Sequence, residues 1–136
     1  MPPGASREPP RARCGDPAPD ALRRAVEQLN VGELFEQHET LELLWRATAA
    51  PVRDLYHGIL QVGVGLHHWT RGNHHGANVL LEEGIRRLAP FVPECQGVDV
   101  AALVRDAAAA RERLLVLGPE RIAEVDARTL VRVRLS

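Results

Sequence analysis

The sequence predicts an all-α fold, a compact bundle of five or six helices, and three observations support this. Nonpolar residues recur every three or four positions over several long stretches, which is the spacing of one helix face. Ala, Leu and Val supply most of the nonpolar residues, and aromatic residues make up only 4% of the chain, a composition that favours helices over strands. Gly, Asn and Pro separate the periodic stretches at positions where helices begin and end. A chain of 136 residues then forms one domain with a modest core.

The two ends of the chain lack the helical spacing. Residues 1–17 contain five prolines and no nonpolar periodicity, so we expect a disordered tail. Residues 18–128 are predicted to form the helical-bundle domain. Residues 129–136 include the stretch TLVRVRL, in which nonpolar residues alternate with Arg, and this alternation predicts an extended segment over the bundle.

The first two helices are predicted on either side of an Asn-Val-Gly turn. Helix one should run from Asp20 to Leu29 and helix two from Glu33 to Thr48. At 100° per residue, helix two places one line of residues along its inner side. The members of that line are Leu34, His38, Leu41 and Trp45, with Phe35 and Glu42 beside it. We therefore expect His38 and Glu42 to be buried against the core, each in contact with the other or with Gln61 or His67.

The third predicted helix, from Pro51 to Arg71, is the most nonpolar and should lie at the centre of the bundle. Gly72 is suited to a left-handed residue after that helix, and Asn73 to the cap of the next. Helix four is then predicted from His74 to Leu88. Helix five should begin near Asp99 and end at Gly118-Pro119, with a short sixth helix predicted over residues 119–126.

Composition excludes several classes of protein and predicts a location. A net charge of -1 provides no global field for nucleic acid or an anionic membrane, so neither partner is expected. No nonpolar run approaches the roughly 20 residues of a membrane span. All 17 basic residues are Arg, so Schiff-base chemistry on Lys is excluded. Two cysteines, Cys14 and Cys95, are expected to be free thiols. Together with an N-terminus that lacks a secretory signal, this predicts a cytoplasmic protein.

Three stretches of the central helices resemble a known family. They are FEQHETLELLW (35–45), LYHGILQVGVGLHHWTRGN (55–73) and GANVLLEEGIRRL (76–88). Over these stretches the chain resembles the domain of unknown function 309, a family of small bacterial and archaeal proteins. The resemblance implies a compact helical bundle and no particular activity. Members of the family more often carry alanine where this chain has Gly63 and Gly65.

The segment His38-Glu39-x-x-Glu42 is the first candidate for a functional site. It differs from the zinc-protease helix because Glu42 stands where that motif has its second His. A His and a carboxylate one turn apart can still bind one divalent metal, with His67 as a further ligand from a facing helix. An acid–base site is the second interpretation, and its candidates are His38, Glu39, Glu42, Gln61 and His67. The third is a polar cluster that only fixes helix packing.

A different function class is an interaction scaffold without catalytic activity. Residues 66–88 form a predicted helical hairpin around Arg-Gly-Asn, as in repeats that bind other proteins. Residues 22–44 form a second, imperfect hairpin, whereas a stacked array normally needs about three such units. A closed bundle is therefore favoured over a stacked array, and a small-molecule or metal site at its His/Glu cluster is one interpretation beside the structural one. A peptide partner or a homodimer is the alternative.

Overall fold

A computed structural model describes residues 8–136 of the chain. Its five helices are α1 (Asp20–Asn30), α2 (Leu34–Ala47), α3 (Arg53–Thr70), α4 (His74–Leu88) and α5 (Val100–Arg121). Helix α3 packs against both α2 and α4, while α1 covers α2 and α5 covers α4. The predicted all-α bundle is confirmed, with α3 at its centre. Among the described residues, no helix has the length and nonpolar character needed to cross a membrane.

Glycines allow α3 and α4 to approach each other closely. A Cβ atom on Gly58 would lie 2.7 Å from Leu88 Cγ, and one on Gly84 would lie 3.1 Å from the carbonyl oxygen of Gly58. A Cβ on Gly65 would lie 3.2 Å from the backbone nitrogen of Leu81. Separations this short require backbone without side chains, so the glycines set the distance between the two helices.

The joints between the later helices lie where the sequence predicts them. Gly72 has a φ of 76°, in the left-handed region, and ends α3. The side chain of Asn73 caps α4 by accepting a hydrogen bond from the Gly76 backbone at 2.9 Å. Gly118, with a φ of 69° and a ψ of 173°, interrupts the last turns of α5. Two short 3-10 turns, Ile122–Glu124 and Ala127–Thr129, then take the place of the predicted sixth helix.

The C-terminal segment is extended, as its alternating pattern predicts. Val131 and Val133 are buried. The side chain of Asn30, at the end of α1, bonds both backbone groups of Val133, accepting from its N–H at 2.8 Å and donating to its carbonyl at 2.9 Å. The Asp99 N–H donates to the Arg134 carbonyl at 2.9 Å. These bonds attach the segment to α1 and to the start of α5.

A small β-hairpin lies between α4 and α5 and was not predicted. Strand β1 (Glu94–Cys95) pairs antiparallel with β2 (Val98–Asp99). The two residues between them, Gln96 and Gly97, have φ values of 49° and 82°. Two consecutive residues with positive φ are typical of tight hairpin turns.

The N-terminal segment differs from its prediction. Residues 1–7 of the predicted tail lie outside the described residues, whereas residues 8–17 form turns that contact the bundle. Cys14 is buried and forms a disulfide with Cys95 in β1. The Arg11 guanidinium donates hydrogen bonds of 2.7 to 3.0 Å to the carbonyls of Phe91, Val92 and Glu94. The free-thiol prediction is therefore wrong, and residues 8–17 are not a disordered tail. Two cysteines 81 positions apart carry no local signal that they meet.

We expect the disulfide to contribute substantially to stability. Closing a loop across 81 residues removes conformational entropy from the unfolded chain. The Cys14→Ser/Cys95→Ser variant should lose about 2–5 kcal/mol of unfolding free energy relative to the oxidised protein. Urea denaturation without reductant measures this difference. Reductant should lower the urea midpoint of the original protein to that of the variant. The expectation would be contradicted if neither the substitutions nor the reductant changed the midpoint.

Candidate functional site

The His38–Glu42 pair forms as predicted, but it is not buried. His38 Nε2 lies 3.3 Å from Glu42 Oε2, and the two side chains are 35% and 33% exposed. The other oxygen of Glu42 accepts a hydrogen bond of 2.6 Å from Arg46, one further turn along α2. The prediction of a buried His/Glu cluster is therefore wrong. A partly solvated pair of this kind costs little desolvation and contributes little stability.

Gln37 is the polar residue that α2 buries instead. Its side chain is fully buried, and it shares the inner face with Leu34 and Leu41. Leu34 and Leu41 are seven residues apart, a spacing that suits an inner face containing either residue 37 or residue 38. The sequence pattern therefore left the rotation of α2 open by one residue, about 100°. The packing of α2 on α3 decides it.

Gly63 of α3 makes room for Gln37. A Cβ atom at residue 63 would overlap the Gln37 side-chain amide. The amide nitrogen lies 3.5 Å from the Leu60 carbonyl, and the amide oxygen has no hydrogen-bond partner among the protein atoms. Glycine at this position is therefore matched to a buried amide on the facing helix.

The contact between Gly63 and Gln37 predicts coupled effects of mutation. Gly63→Ala should destabilise the protein by about 1–3 kcal/mol, because the added methyl group meets a fully packed amide. In a Gln37→Ala background, which removes that amide, the same change should cost far less. Urea denaturation of the two single variants and the double variant measures the coupling. Additive losses would mean that the two residues do not interact.

A cleft opens beside the C-terminal end of α3. It has a volume of about 610 Å³ and is bounded by the start of α2, the end of α3 and the segment 122–128. Trp69 is buried at the cleft, and its indole N–H donates to the Ile122 carbonyl at 2.9 Å. This bond attaches the C-terminal side of the cleft to α3. The walls combine nonpolar residues (Leu34, Phe35, Trp69, Ile122 and Val125) with polar ones (Glu36, His67, Thr70, Asp126 and Arg128).

Phe35 is the largest exposed nonpolar side chain of the cleft. It is 53% exposed. Its ring centroid lies 6.3 Å from that of His67 and 6.1 Å from that of His38. Both distances are within the range of aromatic pairs. Phe35 thus connects the His38–Glu42 pair to the cleft that contains His67.

The lining of the cleft contains two carboxylates, Glu36 and Asp126, and one guanidinium, Arg128, for a net charge of about -1. Burial lowers the pKa of His67 below its ordinary value, and Arg71, His68 and His38 lower it further while Glu36 opposes them. His67 is therefore neutral at pH 7, with one ring nitrogen donating and the other accepting. The Arg128 guanidinium forms two 3.0 Å hydrogen bonds to the Asp126 carboxylate, which neutralises both.

The lowered pKa of His67 predicts a pH dependence. In the unfolded chain its pKa is about 6.5, so the unfolded state binds the proton more tightly. His67 therefore favours the folded state most above pH 6.5, and this preference is lost as the pH falls through 6.5 towards the folded-state pKa. NMR titration of the His67 ring should give a pKa below 6.5. Arg71→Gln should raise that value, whereas Arg24→Gln on the distant helix α1 should not. A titration at the ordinary pKa would contradict the assignment.

Gln61, another predicted site residue, lies away from the cleft where α3 meets α4. It is only 5% exposed. Its amide nitrogen donates to Glu83 at 3.1 Å, and its oxygen accepts from Arg87 at 3.0 Å. Arg87 also lies 3.5 Å from Asp54. Both ends of the buried amide are thus satisfied, and Gln61 joins α3 to α4.

The predicted candidates are therefore divided between separate places. His67 lines the cleft, His38 and Glu42 pair on the neighbouring face of α2, and Glu39 is exposed. No group of three or more His, Cys, Asp or Glu side chains within residues 8–136 is arranged to hold a metal ion. Catalytic roles for these residues and for Gln61 stay predictions.

The comparisons with known proteins concern α1 to α4. Residues 22–80 match the family model described as Domain of unknown function (DUF309). The resemblance to DUF309 is confirmed. No curated protein and no solved structure matches the chain. The DUF309 match includes the α2 and α3 walls of the cleft, whereas the segment 122–128 and both cysteines lie outside it.

Proposed function

We propose that this protein binds a small, neutral, planar organic molecule in the cleft beside α3. The observation that carries the proposal is Phe35, a phenyl ring that is 53% exposed on the wall of a concave site. Exposing such a ring to water is unfavourable, and a planar ligand would cover it by stacking. His67 then lies beside the same ligand, because its ring is 6.3 Å from that of Phe35.

The size and lining of the cleft support a small ligand. Its volume of about 610 Å³ lies within the roughly 300–1,000 Å³ of typical ligand sites. Such sites combine nonpolar walls with a few polar groups that orient the ligand. Here Leu34 and Trp69 supply the buried nonpolar surface, and His67 and Thr70 supply polar atoms.

The charges of the cleft disfavour an anionic ligand. The Arg128 guanidinium is occupied by Asp126, and His67 is neutral at pH 7, so a carboxylate or phosphate would find little compensation for its lost hydration. The Thr70 hydroxyl donates to the His67 carbonyl at 2.6 Å and keeps its oxygen free to accept. A ligand with one donor and one acceptor would match Thr70 and the His67 ring.

Indole, a neutral planar molecule, is a suitable probe for an NMR titration of the full chain. It should shift the resonances of Phe35, His67 and Ala127. Phe35→Ala should weaken binding by about tenfold, since stacking on an aromatic ring is worth about 1 kcal/mol or more. Leu43→Ala is the matched control, because Leu43 is 69% exposed on the same helix and does not line the cleft.

Two results would contradict the small-molecule proposal. One is that none of a series of neutral aromatic probes shifts the cleft resonances at millimolar concentration. The other is that Phe35→Ala and Leu43→Ala weaken binding equally, since the cleft would then have no special part in it.

An interaction scaffold is the second candidate function. Leu43 on α2 and Val116 on α5 are 69% and 76% exposed, a feature of surfaces that contact other proteins. A peptide partner or a second copy of the chain would cover such residues. In that case Leu43→Ala should alter association with the partner and leave indole binding unchanged.

A divalent metal at His38 and Glu42 has weaker support. The pair supplies two ligands, whereas structural and catalytic zinc sites use at least three protein ligands. His67, the third candidate, lies beyond the ring of Phe35 and forms no three-residue group with them. The small-molecule proposal therefore does not depend on metal.

The cytoplasmic location stays a prediction with one of its supports removed. It rested partly on free thiols, whereas Cys14 and Cys95 form a disulfide. Disulfides persist mainly in oxidising compartments, although intracellular proteins of hyperthermophiles also contain them. An oxidising compartment or a hot habitat would each agree with the disulfide.

A further inference from the structure

A second groove, separate from the cleft, lies between α1 and the extended C-terminal segment. Its volume is about 430 Å³. Three arginines line it, Arg23 from α1 and Arg132 and Arg134 from the extended segment. Glu27 is its single acidic lining residue. The groove shares no lining residue with the cleft beside α3.

The fold places these arginines on one surface by means of strand alternation. Successive side chains of an extended segment point to opposite sides. Val131 and Val133 are buried, so Arg132 and Arg134 lie on the outward side. Asn30 bonds both backbone groups of Val133, which fixes the segment along α1. The alternation of valine and arginine in the sequence thus becomes a row of guanidinium groups beside α1.

The guanidinium groups of the groove are unpaired, unlike many others in this protein. Within residues 8–136, the side chains of Arg23, Arg132 and Arg134 form no hydrogen bond or ion pair. By contrast, Arg128 and Arg87 are bound to carboxylates. Three cations and one carboxylate leave the groove with a net charge of about +2, and the cations repel one another. An anion in the groove would relieve this repulsion.

We propose that the groove binds the phosphate groups of a small phosphorylated ligand. A guanidinium donates two parallel hydrogen bonds to one phosphate, which makes arginine well suited to this anion. Three such groups around a volume of about 430 Å³ match a diphosphate better than a single carboxylate. The site is independent of the proposed ligand of the cleft, which is neutral.

Inorganic pyrophosphate is the probe, titrated calorimetrically into the full chain with its disulfide intact. We expect one saturable site per chain with a dissociation constant below about 1 mM at low salt. Binding should weaken as salt is added, because screening reduces attraction between exposed charges. Arg132→Gln/Arg134→Gln should weaken binding at least about tenfold, because each guanidinium donates charge-assisted hydrogen bonds.

The matched control is Arg105→Gln/Arg113→Gln, which removes the same net charge. Both residues are exposed on α5 and lie outside the groove. This variant should bind pyrophosphate within about twofold of the original protein. A second comparison tests α1 alone. Arg23→Gln should weaken binding, whereas Arg24→Gln, which is exposed on the same helix outside the groove, should not. Thermal unfolding confirms that each variant is folded.

Three results would overturn the proposal. The first is the absence of saturable pyrophosphate binding to the original protein. The second is equal weakening in the groove and control variants, which would reflect net charge alone. The third is binding of a single-stranded oligonucleotide without binding of pyrophosphate, which would make the groove a nucleic-acid surface. Failure of indole to bind in the cleft would not count against phosphate binding in this groove, because the two sites share no lining residue.

Discussion

The close approach of α3 to α4 is the constraint on which the rest of the structure depends. Gly58 and Gly84 face each other, and each lies so near the other helix that a Cβ atom would meet its neighbours at 2.7–3.1 Å. Glycine inside a helix costs about 1 kcal/mol relative to alanine. That cost is offset because helices in close contact bury more nonpolar surface and pack at interior density. With α3 held in this way, α2 and the C-terminal segment pack around it.

The polar groups in contact with α3 lie on three different sides of it. Towards α4, Gln61 is buried and bonded to Glu83 and Arg87. Towards α2, the absence of a side chain at Gly63 accommodates the amide of Gln37. At its C-terminal end, His67 and Trp69 reach a cleft. One helix therefore carries a structural contact and a candidate binding site on different faces, which separates residues that the sequence grouped together.

The C-terminal segment contributes to both proposed binding sites. Residues 122–128 form one side of the cleft, and residues 132–135 form one side of the arginine groove. Trp69 holds the first part through the Ile122 carbonyl, and Asn30 holds the second through Val133. Both parts lie outside the residues that match DUF309. Residues within the match thus supply the α2 and α3 walls of the cleft and the α1 wall of the groove, while residues outside the match complete both sites.

The sequence by itself determined the all-α class, the helix joints at Gly72-Asn73 and Gly118, and the extended C-terminal segment. Each depends on local chemistry: the periodicity of nonpolar residues, the tolerance of glycine for positive φ, and the alternation of an extended chain. Tertiary structure alone decided that Gln37 rather than His38 is buried, and that Cys14 meets Cys95. The inner face of α2 was ambiguous by one residue until α3 packed against it, and a disulfide across 81 residues depends on where distant segments meet. Both outcomes arise from contacts between residues far apart in the chain, which no local pattern encodes.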